Sequence, residues 1–305
     1  MKIGEEDREK TAGIAYTVLA YAVWGLLPLY WKYLDRVSAF EILAHRIFWS
    51  FIFVMMLLLL YRRWQPFKEA LCNIKIALPA FLASLLISAN WFIYIWAVNN
   101  GHVIESSLGY YINPLLSVAL GVLVLKERLT RWQALALGLA SIGVVILIVQ
   151  YGKVPWIAFS LAVTFGLYGL VKKRAQTEAM VGLALETFFV APLACSYIVF
   201  MESKGVGAIS SVSALEITLL MGAGIVTAFP LLWFAKGART VPLSTIGFIQ
   251  YLSPTITLVI GVFIFKETFT SVHTISFAFI WCALLLYSLS YTNIGHQLSQ
   301  QQDKV

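Results

Sequence analysis

Ten stretches of about 20 apolar residues dominate this chain of 305 residues, and almost every charge falls in the gaps between them. A bilayer core of about 30 Å needs roughly 20 helical residues to cross it. Cut at the polar clusters, the first five runs are 11–31, 41–61, 76–98, 104–125 and 132–150. The second five are 154–172, 181–201, 214–236, 243–265 and 272–292. Backbone groups in hydrocarbon must satisfy their own hydrogen bonds, so runs of this length are predicted to be helices. The hydrophobic fraction is 60% and the charged fraction 12%, against about 45–50% and about 25% in soluble domains. A core of this size cannot hide that excess, so the predicted fold class is an all-α integral membrane protein. The loops are short and leave no soluble domain; a polar tail follows from about residue 293.

The net charge of +7 does not indicate a nucleic-acid partner, because the cations sit at the ends of the apolar runs. With the N-terminus inside, sixteen Lys and Arg fall in inside segments and five in outside loops, leaving Arg46 within a run. That bias predicts a cytoplasmic location for both termini. The first apolar run is followed by no small-residue cleavage site, so it is expected to remain as a helix. Cys72, Cys195 and Cys282 lie far apart, form no C-x-x-C pair and are read as packing residues.

The chain also repeats itself. Residues 107–130 read SLGYYINPLLSVALGVLVLKERLT, and residues 245–270 read TIGFIQYLSPTITLVIGVFIFKETFT. At an offset of 140, Tyr111 falls on Tyr251, Pro114 on Pro254 and Gly121 on Gly261. Lys126-Glu127 falls on Lys266-Glu267, and Thr130 on Thr270. The expected organisation is a first five-helix repeat over residues 1–150 and a second over 151–305. Five is odd, so the second repeat must cross the membrane upside down relative to the first. Inverted repeats supply two related conformations, one open to each side, which is the physical basis of alternating access.

Polar residues cluster on the matching fourth and ninth runs. Ser106, Tyr110, Asn113 and Ser117 share one helix face, and Gln250, Ser253 and Thr257 occupy the corresponding face. Pro114 and Pro254 are expected to interrupt these helices, each freeing the carbonyl four residues earlier. Helices broken at matching positions of two halves point to a binding site. Ordinary hydrogen bonding between helices is the alternative reading. The first run carries Tyr21, Trp24, Pro28 and Trp31, and the sixth places Phe165 on Trp24 at an offset of 141. Asn90 and Tyr94 share a face of the third run. Trp24, Asn90 and Tyr94 would suit a cavity for a planar or partly apolar solute. Trp31 and Tyr33 read as interfacial belt.

Ionisable residues within spans are functional candidates. His45 and Arg46 lie in the second run, Glu105 opens the fourth, and Glu186 falls on His45 at an offset of 141. His45, Glu105 and Glu186 are the candidates for a coupling proton; a structural role, with Arg46 held by a carboxylate or by carbonyls, is the alternative. Gly121, Gly138, Gly143 and Gly261 are read as close-packing positions.

The chain has no G-x-x-x-x-G-K-S/T, H-E-x-x-H or G-x-S-x-G. His102, His273 and His296 give no metal-ligand spacing. No cofactor, metal or enzymatic centre is expected.

Several stretches carry a family resemblance. They are NWFIYIWAVNNGHVIESSLGYYINPLL at 90–116, YAVWGLLPLYWK at 21–32 and EILAHR at 41–46. In the second half they are LET at 185–187, GIVTAFPLLWF at 224–234, LSTIGFIQYLSPT at 243–255 and FAFIWCAL at 277–284. Over nearly its whole length the chain resembles the RarD group of EamA-type transporters, in the drug/metabolite transporter superfamily. The resemblance implies ten helices in a bacterial inner membrane, with a central cavity lined by the first, third, fourth, sixth, eighth and ninth spans. It implies export or exchange of a small organic solute, a metabolite or a drug of amphenicol type, with the lipid bilayer as the other partner. A non-transporting scaffold or sensor, and a membrane-embedded enzyme, are the competing readings, and the oligomeric state stays open.

Overall fold

A computed structural model describes residues 2–100, 102–175, 177–265 and 271–290. Every regular element among them is helical. In chain order these are α1 (Lys2–Lys32), α2 (Ala39–Leu60), α3 (Trp64–Cys72), α4 (Ile74–Asn99), α5 (Val103–Leu125) and α6 (Arg131–Tyr151). Then follow α7 (Trp156–Arg174), α8 (Ala179–Ser203), α9 (Ala208–Ser211), α10 (Ala214–Thr240), α11 (Leu243–Gln250), α12 (Leu252–Phe263) and α13 (Ser271–Ser290). The polar tail and the second copy's Lys266, Glu267 and Thr270 lie outside the described residues.

Nine spans among the described residues are long and apolar enough to cross a membrane, counting α11 and α12 together. The sequence predicts ten; α7 is the one that falls short. It has 19 residues and ends in Lys172, Lys173 and Arg174, which lower its mean hydropathy. Two short helices were not expected. The nine residues of α3 are too few to span, but they bury Phe67 and Ala70 and leave Gln65, Lys68 and Glu69 outside. That pattern suits a helix lying along the membrane face. Four-residue α9 is anchored by Glu41, whose carboxylate accepts from Ala208 N at 2.7 Å.

The helix ends follow local chemistry. Thr130 and Ser213 each form a capping box, with Gln133 and Glu216 three residues on. Gly152 ends α6 at φ 78°, a conformation glycine adopts at no steric cost. The predicted break at Pro114 is not seen: α5 runs through it, as α1 runs through Pro28. A single proline removes one hydrogen bond, and packing on both sides holds α5 straight enough to continue. The ninth span is interrupted, at Tyr251 between α11 and α12, three residues before Pro254. Tyr251 donates its hydroxyl to Tyr111 O at 3.2 Å, fixing the break against α5.

Most close helix contacts join the first half of the chain to the second. The main pairs are α6 with α13, α5 with α7 and with α11, and α1 with α10 and α12. Next come α2 with α8 and α10, and α4 with α7 and α8. Of the glycines read as packing sites, Gly143 is one: a Cβ there would meet Ser276 O at 2.7 Å. Gly138 is not, having no neighbour within 4 Å. Cys72 and Cys282 are exposed rather than packed inside.

Candidate functional site

Arg46 is the eighth residue of α2, about 10 Å along the helix from its start. A lone Arg at the centre of a membrane helix costs about 2.5–3.5 kcal/mol on insertion scales, so its surroundings matter. Its guanidinium meets two indoles, 4.8 Å from the Trp31 ring centroid and 4.7 Å from that of Trp91. Such stacking compensates a desolvated cation by up to about 2 kcal/mol per ring. Nε donates to Thr227 Oγ1 at 3.2 Å. The two terminal nitrogens have no protein acceptor among the described residues, and the side chain is partly exposed.

Among the described residues no carboxylate pairs with Arg46, and each buried acid is engaged elsewhere. Glu41 binds α9. Glu105 accepts from Tyr151 Oη at 2.6 Å and from Ile157 N at 2.7 Å. Glu186 accepts from Lys172 Nζ at 2.6 Å and Tyr168 Oη at 3.2 Å. Among the described residues no ion pair includes Arg46.

Tyr94 lies three residues beyond Trp91 on α4, on the helix face that meets Arg46. Tyr110 of α5 meets the Tyr94 ring edge to face at 5.9 Å, and the two are 38% and 46% exposed, Tyr94 at the end of the span Ile74–Tyr94 and Tyr110 in the second turn of Glu105–Leu125. The site therefore draws on α1, α2, α4, α5 and α10.

About two turns toward the other ends of these helices lies an aromatic cluster. Trp24 contacts Tyr21 at 5.1 Å, Phe165 at 5.9 Å and Phe234 at 5.8 Å. Tyr168 stacks on Phe234 at 5.8 Å, and both are fully buried. Trp24 and Phe165, matched by the repeat, thus touch each other. Beyond the cluster is a cavity of about 370 Å³ lined by Lys75, Lys172, Arg174, Glu178, Glu186 and Arg239, among others. A smaller void of about 20 Å³ lies between Glu186, Thr187, Ser88, Ser50, Trp91 and Thr227. It has room for about one water, which would satisfy the otherwise unpartnered Ser88 Oγ. Polar groups thus run from Glu186 to Thr227, the partner of Arg46.

The remaining predicted residues lie at helix contacts. Ser117 donates to Gln250 Oε1 at 3.1 Å. Asn90 Nδ2 donates to Leu161 O at 2.8 Å and to Thr164 Oγ1 at 2.9 Å. Thr257 donates to Gly25 O at 3.2 Å, and the Ser253 carbonyl faces Gly25. Asn113 is buried with Oδ1 unpartnered. His45 accepts from Trp49 Nε1 at 3.2 Å through Nδ1, and its buried Nε2 has no partner. The two cavities are lined by other side chains, apart from Glu186.

Sequence reasoning missed two features. Nothing in the spacing joins Trp31 and Trp91 to Arg46; the available signal is an Arg within a span with no acid at matching depth. In the sequence, Glu127 stands out only as part of a repeated charged pair. Its carboxylate accepts from Leu243 N at 2.7 Å, Ser244 N at 2.8 Å and Ser244 Oγ at 2.6 Å. It caps the start of α11, where free N–H groups and the helix dipole favour an anion.

Nine spans among the described residues, each long and apolar enough to cross a bilayer, define a multi-pass membrane protein. Residues 11–149 and 153–289 each match the EamA-like transporter family, and the chain belongs to that family. It is 49% identical over 289 residues to "Uncharacterized transporter YojE" of Bacillus subtilis, covering 93% of this chain and 96% of that one. It is 43% identical to "Protein RarD" of Streptomyces exfoliatus, covering 92% and 89%. It is 38% identical to "Protein RarD" of Escherichia coli, covering 92% and 95%. A solved crystal structure superposes with a TM-score of 0.70 at 18% identity, over 93% of this chain and 99% of that one, which supports the fold.

Proposed function

We propose that this membrane transporter is a secondary carrier that exports or exchanges a small organic solute by alternating access between inverted halves, residues 1–150 and 151–305. The observation that carries the reading is the group of Arg46, Trp31, Trp91, Tyr94 and Tyr110 gathered from four spans, with both tyrosines partly exposed. The helix contacts support the inversion. Exchanging each span for the one five later turns α5–α7 into α12–α1, α1–α10 into α7–α4, and α2–α10 into α8–α4, all of them observed contacts. The pairs α6–α13, α2–α8 and α5–α11 map onto themselves.

With the termini inside, the Tyr94–Tyr110 space faces outward and the 370 Å³ cavity faces the cytoplasm. The aromatic cluster around Trp24 and Phe165 separates the two. Glu127 then latches the cytoplasmic start of α11 in this conformation, and opening inward requires that latch to part. Asn90, Asn113, Ser117, Gln250, Ser253 and Thr257 are the polar contacts that exchange partners as the halves rock, with Pro114 and Pro254 easing the bend. Of the proton-coupling candidates, His45 fits best, because its Nε2 is unpartnered while Glu105 and Glu186 are engaged.

A ligand that binds the folded state raises the apparent melting temperature by mass action. Purified protein screened against amino acids, nucleosides, sugars and amphenicol drugs should show a hit that Tyr110→Ala abolishes while melting within about a degree of wild type without ligand. Hits that persist in Tyr110→Ala would place binding elsewhere.

A further inference from the structure

We propose that Arg46 binds the carboxylate of an organic anion whose flat, apolar body lies against Tyr94 and Tyr110. The proposal rests on the transporter reading and specifies the substrate class for that same pocket.

The guanidinium presents five N–H groups in one plane. Cζ sits over the Trp31 ring at 4.8 Å and over the Trp91 ring at 4.7 Å, and Nε is held by Thr227 at 3.2 Å. What remains is the end-on edge, two parallel N–H vectors that match a carboxylate. The clamp fixes that edge before any ligand arrives, so little side-chain freedom is lost on binding. Thr227 fixes the rotation of the fork, and the indoles fix its tilt.

Charge balance points the same way. Glu41, Glu105 and Glu186 are each bound to other groups, which leaves Arg46 as an uncompensated cation in the apolar layer. A cationic solute would be repelled there, and a neutral one would leave the fork unpaired. The cavity on the far side of the aromatic cluster carries the same sign. Its Lys75, Arg174 and Arg239 outnumber Glu178, itself paired with Arg63 at 3.5 Å, while Lys172 and Glu186 neutralise each other. A cavity walled by one sign concentrates counter-ions. An anion would therefore meet a positive site on both faces of the barrier. An inside-negative membrane potential drives such a solute outward without a coupling ion.

The test measures melting of the purified full chain with matched acid and amide pairs: benzoate and benzamide, and indole-3-acetate and indole-3-acetamide. Probes are used at millimolar concentration and constant ionic strength, with sodium sulfate as the inorganic control. The acids should raise the melting temperature by about 2 °C or more, and the amides and sulfate should not. The acid response should vanish in Arg46→Gln. Arg46→Lys keeps the charge but not the fork; it should weaken the acid response, and it carries the test if Arg46→Gln does not fold. Equal responses to acid and amide, equal responses to sulfate, an acid response that survives Arg46→Gln, or no acid response would each overturn the proposal. Neutral compounds that bind in a Tyr110-dependent way, with acids doing no better, would overturn the anion assignment while leaving the transporter reading intact.

Discussion

Replacing Lys172 by alanine should destabilise the protein by about 3–5 kcal/mol, the cost of leaving one member of a buried ion pair alone. Lys172 Nζ and Glu186 sit 2.6 Å apart, and each side chain is only 5% exposed. Tyr168 Oη would remain as the sole donor to the Glu186 carboxylate, and one neutral hydrogen bond does not replace a cation. Glu186→Ala should be as damaging, since it strands the ammonium instead. The double variant Lys172→Met/Glu186→Leu removes both charges and fills similar volume, so it should recover most of the loss. Melting temperatures of the purified variants check this. A Lys172→Ala protein that melts within a degree of wild type would mean that the adjoining 370 Å³ cavity hydrates the pair.

Gly224→Val should cost about 3 kcal/mol or more. A Cβ at Gly224 would overlap the α2 backbone at Trp49 and Ser50, and backbone can yield only by moving the helices apart. The same contact holds Ser50 Oγ on Gly224 O at 3.0 Å. Close approach through small residues is how apolar helices gain packing in lipid, where burial from water supplies no drive between them. The consequence reaches the pocket, because α2 carries Arg46 and α10 carries Thr227, three residues from Gly224. Gly224→Ala should already lower the melting temperature measurably. Gly138→Ala is the control: its Cβ meets nothing within 4 Å, so helix propensity alone should stabilise it by up to about 1 kcal/mol. Equal melting of the two alanine variants would remove the close-approach argument.

Much of the fold is legible in the sequence because lipid imposes one rule everywhere: apolar runs near 20 residues must be helices. That rule found the long helices to within a few residues at most ends. It had no hold on α3, whose nine residues are amphipathic and too short to span. It also overstated Pro114. A proline removes one donor, but whether the helix breaks depends on what packs around it, and α5 is held on several sides. The stripe of Ser117 opposite Gln250 was read from spacing, and the two residues do meet. Spacing alone could not say whether such a pair faces water or another helix. Tyr94 is legible as a deeper aromatic of the third run, and Tyr110 as part of the polar stripe of the fourth. Arg46 was legible as a charge out of place, but its partners were not: Trp31, Trp91 and Thr227 come from three different helices, and only tertiary packing brings them together. Glu127 is the same case, a loop residue whose partner begins 116 positions later.

The central claim is that one pocket opens alternately to the two sides of the membrane. The direct measurement is side-specific labelling of a Tyr110→Cys variant. The background should lack Cys72, Cys195 and Cys282, since Cys72 and Cys282 are exposed. A membrane-impermeant maleimide is applied to right-side-out and inside-out vesicles. Alternating access predicts that Tyr110→Cys reacts from both sides, faster from the outside in the conformation described here, and that a bound ligand slows both reactions. Labelling from one side only, unchanged by any ligand, would contradict the account and leave a static membrane protein with a one-sided cleft.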